Sequence, residues 1–221
     1  MANATTKLFV AGLLVVLPVS AGNPKRGHAA HQAAPDVLVL VEGGNLVAPA
    51  VLLQAEATAT RMFARIGLQV QWADRQPGQG AEPAGSGCTP KRPEEIVIRM
   101  VSTRTGSAGG EAFAEAHPYA RGGVRVTVFY GELSEATHAR PRRQPILLAH
   151  VLVHEITHVL QRVAQHSATG VMQAHWTTRD YVEMDEGSLE FADSDAWLIH
   201  LGLRRSQSPA CLETASRFSV R

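Results

Sequence analysis

The run Ile146-Leu147-Leu148-Ala149-His150-Val151-Leu152-Val153-His154-Glu155-Ile156-Thr157-His158-Val159-Leu160-Gln161-Arg162 decides how this chain is read. Pro141 and Pro145 frame its start, and its first half is apolar nearly all round, the pattern of a helix buried on every side. The reading is a long helix over about 146–162. On such a helix His154 and His158 stand one turn apart on one face, where both imidazoles reach a single metal ion. Glu155, beside the first of them, is placed to take a proton from a water at that ion. A buried histidine pair beside a glutamate would be expensive to desolvate without a metal. Two neutral nitrogens, an open position and a base are what zinc chemistry needs, because zinc lowers the pKa of a water to about 7.

Upstream of that helix the chain alternates strands and one further helix. Val37-Leu38-Val39-Leu40-Val41 is a β-branched apolar run, the mark of a buried strand, and Gly43-Gly44 breaks it. From Pro49 to Ile66 the residues are good helix formers, and Gly67 ends the pattern. Leu68 to Trp72 and Ile96 to Val101 alternate apolar and polar, and Val124 to Tyr130 reads as another strand. Between them, 74–93 reads as a long loop, and 102–123 is rich in Gly, Ala and Ser with room for an irregular edge strand. Downstream, Gly170 marks a turn, and a last helix is expected from about Ser188 to Leu203. The fold class is α/β (α+β): a mixed sheet packed on two helices.

The N-terminus reads differently from the rest. Lys7, the apolar run Leu8 to Val19 and then Val19-Ser20-Ala21 have the form of a secretory signal peptide over 1–21, with a run too short to span a membrane. Residues 22–35 read as a flexible leader and 36–221 as one domain, in a protein secreted or delivered to the periplasm. In that setting Cys88 and Cys211 form one disulfide or remain two free thiols. With 45% hydrophobic and 19% charged residues among 221, the chain has material for a globular core. A net charge of +1, from 21 basic and 20 acidic residues, with no basic stripe, gives no reason to expect a nucleic-acid partner.

From His154 to Met172 the sequence resembles the metzincin clan of zinc peptidases, and the matrixin type most closely. His154, Glu155 and His158 match the helix motif, His166-Ser167 resembles the third-ligand segment, and Gly170-Val171-Met172 resembles the methionine turn. The resemblance implies zinc held by His154, His158 and His166, with Glu155 as general base and Met172 in the Met-turn. It implies a zincin-like fold with a twisted mixed sheet, an active-site helix and a small C-terminal helical lobe, divided into an upper lobe of about 36–165 and a lower lobe of about 166–221. The activity implied is that of an exported zinc endopeptidase, a monomer acting on a peptide or protein that lies extended along the sheet edge near 102–123. The alternative is a catalytically inactive zinc-binding exported protein of the same fold, which would have no need of Glu155.

The sequence departs from the clan's spacing. Where the family places a Gly this chain has Gln161, where it places the third His this chain has Ala164, and His166 comes two residues late. A straight helix would carry His166 about 12 Å along its axis from His158, out of reach of a shared ion. For His166 to serve, the chain must leave the helix soon after Gln161 or Arg162 and double back. The third ligand therefore stands open between His166 and an acid downstream, Glu183, Glu186 or Glu190, of which Glu186 and Glu190 share a helical face. His150, one turn before His154, is a further possibility or a core hydrogen-bonder, and His175 and Tyr181 are candidates for the cleft wall.

Overall fold

The computed structural model describes residues 34–76, 93–104, 112–120 and 122–206. The expected signal segment, the leader up to residue 33, and both cysteines, Cys88 and Cys211, lie outside the described residues.

Five strands form one sheet in the order β2-β1-β3-β5-β4. They are β1 (Val37–Glu42), β2 (Val70–Arg75), β3 (Glu94–Val101), β4 (Ala114–Ala116) and β5 (Val124–Phe129). All neighbours run parallel except β4, which pairs antiparallel with β5 at one edge. The interior strand β1 is a near-continuous apolar run because a parallel strand between two neighbours has little contact with water; Val37 and Val39 are fully buried. The edge strand expected within 102–123 is present there as β4.

Helix α1 (Pro49–Arg65) connects β1 to β2, with Pro49 in its first turn and the left-handed Gly67 (φ 78°) just past its end. It buries Ala55, Ala59, Met62 and Phe63 and packs against α3 (Gln144–Gln161). The sequence led to two helices against the sheet; the described residues contain five α-helices. The helix expected from about Ser188 to Leu203 is present as α5 (Asp193–Ser206), starting later than expected, and the ones not foreseen are α2 (Tyr130–Ala136) and α4 (Thr178–Glu186). Helix α2 starts directly where β5 stops, and at Gly131 a Cβ would lie 1.9 Å from the Ser102 carbonyl oxygen, so only glycine permits the chain to pass there. Helix α4 opens on a capping box in which the side chains of Thr177 and Asp180 each accept from the other's backbone N–H.

Helix α3 is the axis of the core. From Leu147 to Gln161 every residue is buried except Glu155, which is partly exposed. The one interruption between Leu147 and Gln161 thus falls on the residue beside the first histidine of the motif.

Candidate metal centre

Three imidazoles meet at the C-terminal end of α3. His154 and His158 project from successive turns, and their Nε2 atoms are 3.1 Å apart. Helix α3 stops at Gln161, and Arg162 takes the left-handed conformation (φ 57°, ψ 41°) without a glycine to ease it. The chain doubles back and brings His166 Nε2 to 3.3 Å from His158 Nε2. Ligand atoms of all three lie within 4.8 Å of one another, so the trio could hold a metal ion.

The far nitrogens fix the tautomers. His154 Nδ1 lies 2.9 Å from the Val171 carbonyl oxygen, and His158 Nδ1 lies 2.9 Å from that of Val163. A carbonyl only accepts, so each Nδ1 must carry the proton and donate. The Nε2 atoms are then left with lone pairs, aimed at one another. Neutral imidazoles whose lone pairs converge at this distance repel unless a cation lies between them. Anchoring a ligand histidine through its second nitrogen is how metal sites orient their imidazoles.

The burial of these rings works in the same direction. Desolvation lowers His154 to about 4, with His158 and His166 adding to the effect and the Val171 hydrogen bond opposing it. Burial also lowers His158 and His166; the Asp195 carboxylate opposes this at His158, while His175 reinforces it at His166. All three are therefore held neutral, the form that binds metal. Desolvation, reinforced by Glu115, raises Glu155 to about 7. A cation at the imidazoles would act on that carboxyl in the opposite sense, favouring its ionised form.

The segment that resembles a methionine turn is tied into this arrangement. Met172 is fully buried, and its carbonyl accepts from the Ser167 N–H at 2.9 Å. Val171 N–H donates to Glu190 O at 2.9 Å, while Val171 O serves His154 Nδ1 and, at 3.3 Å, the Trp176 indole N–H. Gly170 has φ 76°, and a Cβ on it would stand 2.3 Å from Glu190 O. Trp176 meets the His154 ring edge-on at 5.8 Å between centroids.

The remaining candidates are placed elsewhere. Glu183, Glu186 and Glu190 line a separate hollow with Gly187 and Phe191, and Glu183 accepts from Arg179 at 3.0 Å. They do not join the imidazoles. His150 is fully buried, with Nδ1 donating to Ile146 O at 2.8 Å and Nε2 accepting from Leu189 N–H at 3.1 Å, so both of its nitrogens are committed to the core. His175 and Tyr181 line the cleft onto which His154, Glu155, His158 and His166 open, a space of about 970 Å³. Its other wall includes Phe113, Ala114 and Ala116 of the β4 edge and Glu132 and Ala136 of α2.

No protein-family model matches this sequence, and no curated protein matches it. The likeness to metzincins therefore stays with the residues that carry it, from His154 to Met172.

Sequence reasoning missed several contributors. The carbonyls of Val163 and Val171 have no side-chain signature, and Asp195 sits in no motif. Trp176 could have been suspected, since an aromatic closely follows the turn. Among the described residues no helix is long and apolar enough to cross a membrane.

Proposed function

We propose that this chain is an exported zinc-dependent endopeptidase, with His154, His158 and His166 as zinc ligands, Glu155 as general base and Met172 as the Met-turn residue. The observation that carries the reading is the convergence of three imidazole Nε2 atoms beside Glu155, the one partly exposed residue of the Leu147–Gln161 stretch. Two nitrogens bound tetrahedrally to zinc at about 2.05 Å stand about 3.3 Å apart; the His154–His158 and His158–His166 separations of 3.1 and 3.3 Å fit that spacing, and all three ligand atoms lie within 4.8 Å of one another. Three protein ligands leave one position free, as a catalytic rather than a structural zinc requires.

Zinc bound here would supply Lewis acidity, polarising a carbonyl and bringing the pKa of a water near 7. Glu155 takes the water's proton and passes it to the departing amine. Its place on the buried helix, next to His154, fixes the carboxyl relative to the ligands without making it one. Trp176 and the Val171 carbonyl hold the His154 ring in orientation, so the base and the first ligand keep their spacing.

The β4 edge supports an extended peptide as substrate. Phe113 O accepts from Phe129 N and His117 N donates to Arg125 O, so alternation turns the backbone polar groups of residues 113, 115 and 117 toward β5. Those of Ala114 and Ala116 then point to the open edge, and both residues line the cleft. A peptide added there as a further strand is read through its main chain. Export rests on the signal-like segment at 1–21.

The deciding experiment is hydrolysis of a diverse peptide library by the zinc-loaded protein. Cleavage abolished by a chelator and by Glu155→Ala supports the assignment. A folded, zinc-loaded protein that cleaves nothing favours an inactive zinc protein of the same fold, and failure to take up zinc removes the basis of the proposal.

A further inference from the structure

Helix α5 meets α3 at the place where α3 ends. Gly202 lies so close that a Cβ on it would stand 1.8 Å from the Leu160 carbonyl oxygen and 3.6 Å from Gln161 Cα. Nearly two helical turns earlier on α5 is Asp195, only 3% exposed. Its Oδ1 accepts from Ser167 Oγ at 2.7 Å and from Gln161 Nε2 at 3.3 Å, and Gln161 Nε2 also reaches the Asp195 carbonyl at 3.2 Å. Its Oδ2 is buried with no partner among the described residues.

A buried carboxylate with one oxygen unserved is unfavourable, and apolar packing would be a better filling for the same space. What the carboxylate does accomplish is local. Gln161 is the last residue of α3 and Ser167 directly follows His166. Asp195 therefore ties together both ends of the short reversal that starts at the left-handed Arg162. That reversal presents His166 and also carries the Val163 carbonyl, which fixes the tautomer of His158. Two of the three imidazoles depend on its shape, and no glycine favours that shape from within.

We propose that Asp195 is a positioning residue for the metal centre: by accepting from Ser167 and Gln161 it closes the 162–166 reversal and sets His166, and through Val163 the His158 ring, at ligand distance. The inference rests on the three-histidine metal reading. It assigns the work of holding the turn, which the clan's spacing gives to a glycine, to a side chain on a helix about 30 residues further along the sequence.

The test compares zinc affinity, by competition with a chromogenic chelator, for the wild type, Asp195→Ala, Ser167→Ala, Asp195→Asn and the control Asp193→Ala, an exposed residue of the same helix. The melting temperature of each metal-free protein and the visible spectrum of its cobalt form are recorded alongside. Asp195→Ala and Ser167→Ala are expected to lose about 10- to 100-fold in affinity, with a changed cobalt spectrum. Asp195→Asn keeps an acceptor for Ser167 and recovers most of the loss, and Asp193→Ala matches wild type. Should Asp195→Ala not fold, Ser167→Ala, which removes only a hydroxyl, decides. Unchanged affinity and spectrum in Ser167→Ala and Asp195→Ala, with melting temperature alone lowered, overturn the positioning role and leave the metal reading intact. A wild type that binds no zinc or cobalt overturns both.

Discussion

His154 and His158 face one another across 3.1 Å through nitrogens that both present lone pairs, because the proton of each ring is committed to a backbone carbonyl on the other side. A cation between them would relieve that opposition. A cation that does so binds the folded chain and not the unfolded one, and its binding adds to stability by mass action. Zinc at about 100 times its dissociation constant should raise the unfolding free energy by about 2.7 kcal/mol. Thermal melts with and without chelator measure the effect, and His158→Ala should abolish it.

Substituting Glu155 separates chemistry from metal binding. Glu155→Gln removes a proton acceptor without touching a ligand, so zinc stoichiometry should stay at wild-type level. Peptide hydrolysis by the zinc-loaded protein should fall about 10²- to 10⁴-fold. A fall in activity accompanied by lost zinc would mean that the residue acts on the site's assembly instead.

The metal-free protein should be acid-sensitive in a defined window. The folded-state pKa of His154 is about 4, below the ordinary 6.5. The unfolded chain therefore takes up the proton first as pH falls. The stability tied to the neutral ring is fully present above about pH 6.5 and is lost as pH drops toward 4. A shift of this size corresponds to at most about 3.5 kcal/mol. Urea unfolding of the chelated protein between pH 8 and 4 should show the decline, and His154→Gln should lessen it, leaving the part due to His158 and His166.

Gly202→Ala tests the contact between α5 and α3. A methyl group there would stand 1.8 Å from the Leu160 carbonyl oxygen, so the helices must separate. A loss of about 1–3 kcal/mol is expected from such overpacking, read as a lowered urea midpoint. If the substitution were neutral, the close approach of the two helices would be unimportant to the fold.

What the sequence revealed, and what it hid, follows from how each element is stabilised. Helices α1 and α3 and the strands β1, β3 and β5 advertise themselves because their burial writes a period or an apolar run into the residues. Helix α2 hides behind β5, since Val124 to Tyr130 is one β-favouring run and only the constraint at Gly131 marks where it bends. Helix α4 is short and polar; its signal was the Thr177–Asp180 capping pair, which apolar periodicity does not detect. The start of α5 was read too early because the Ser188–Ala192 stretch is held out of the helix by a tertiary bond, Glu190 O to Val171 N. At the centre, the spacing of His154 and His158 follows from helix geometry alone. The placement of His166 depends on a reversal whose only backbone peculiarity is the φ of Arg162, and no sequence pattern encodes that.

The dependence on α5 also bears on timing. His154 and His158 are synthesised before Asp195 and Gly202. If Asp195 sets the reversal, a nascent or truncated chain holds two ligands and a base but cannot bring up the third. The three-histidine site would then be completed only once α5 has docked against α3, so the order in which the helices pack decides when the site exists at all.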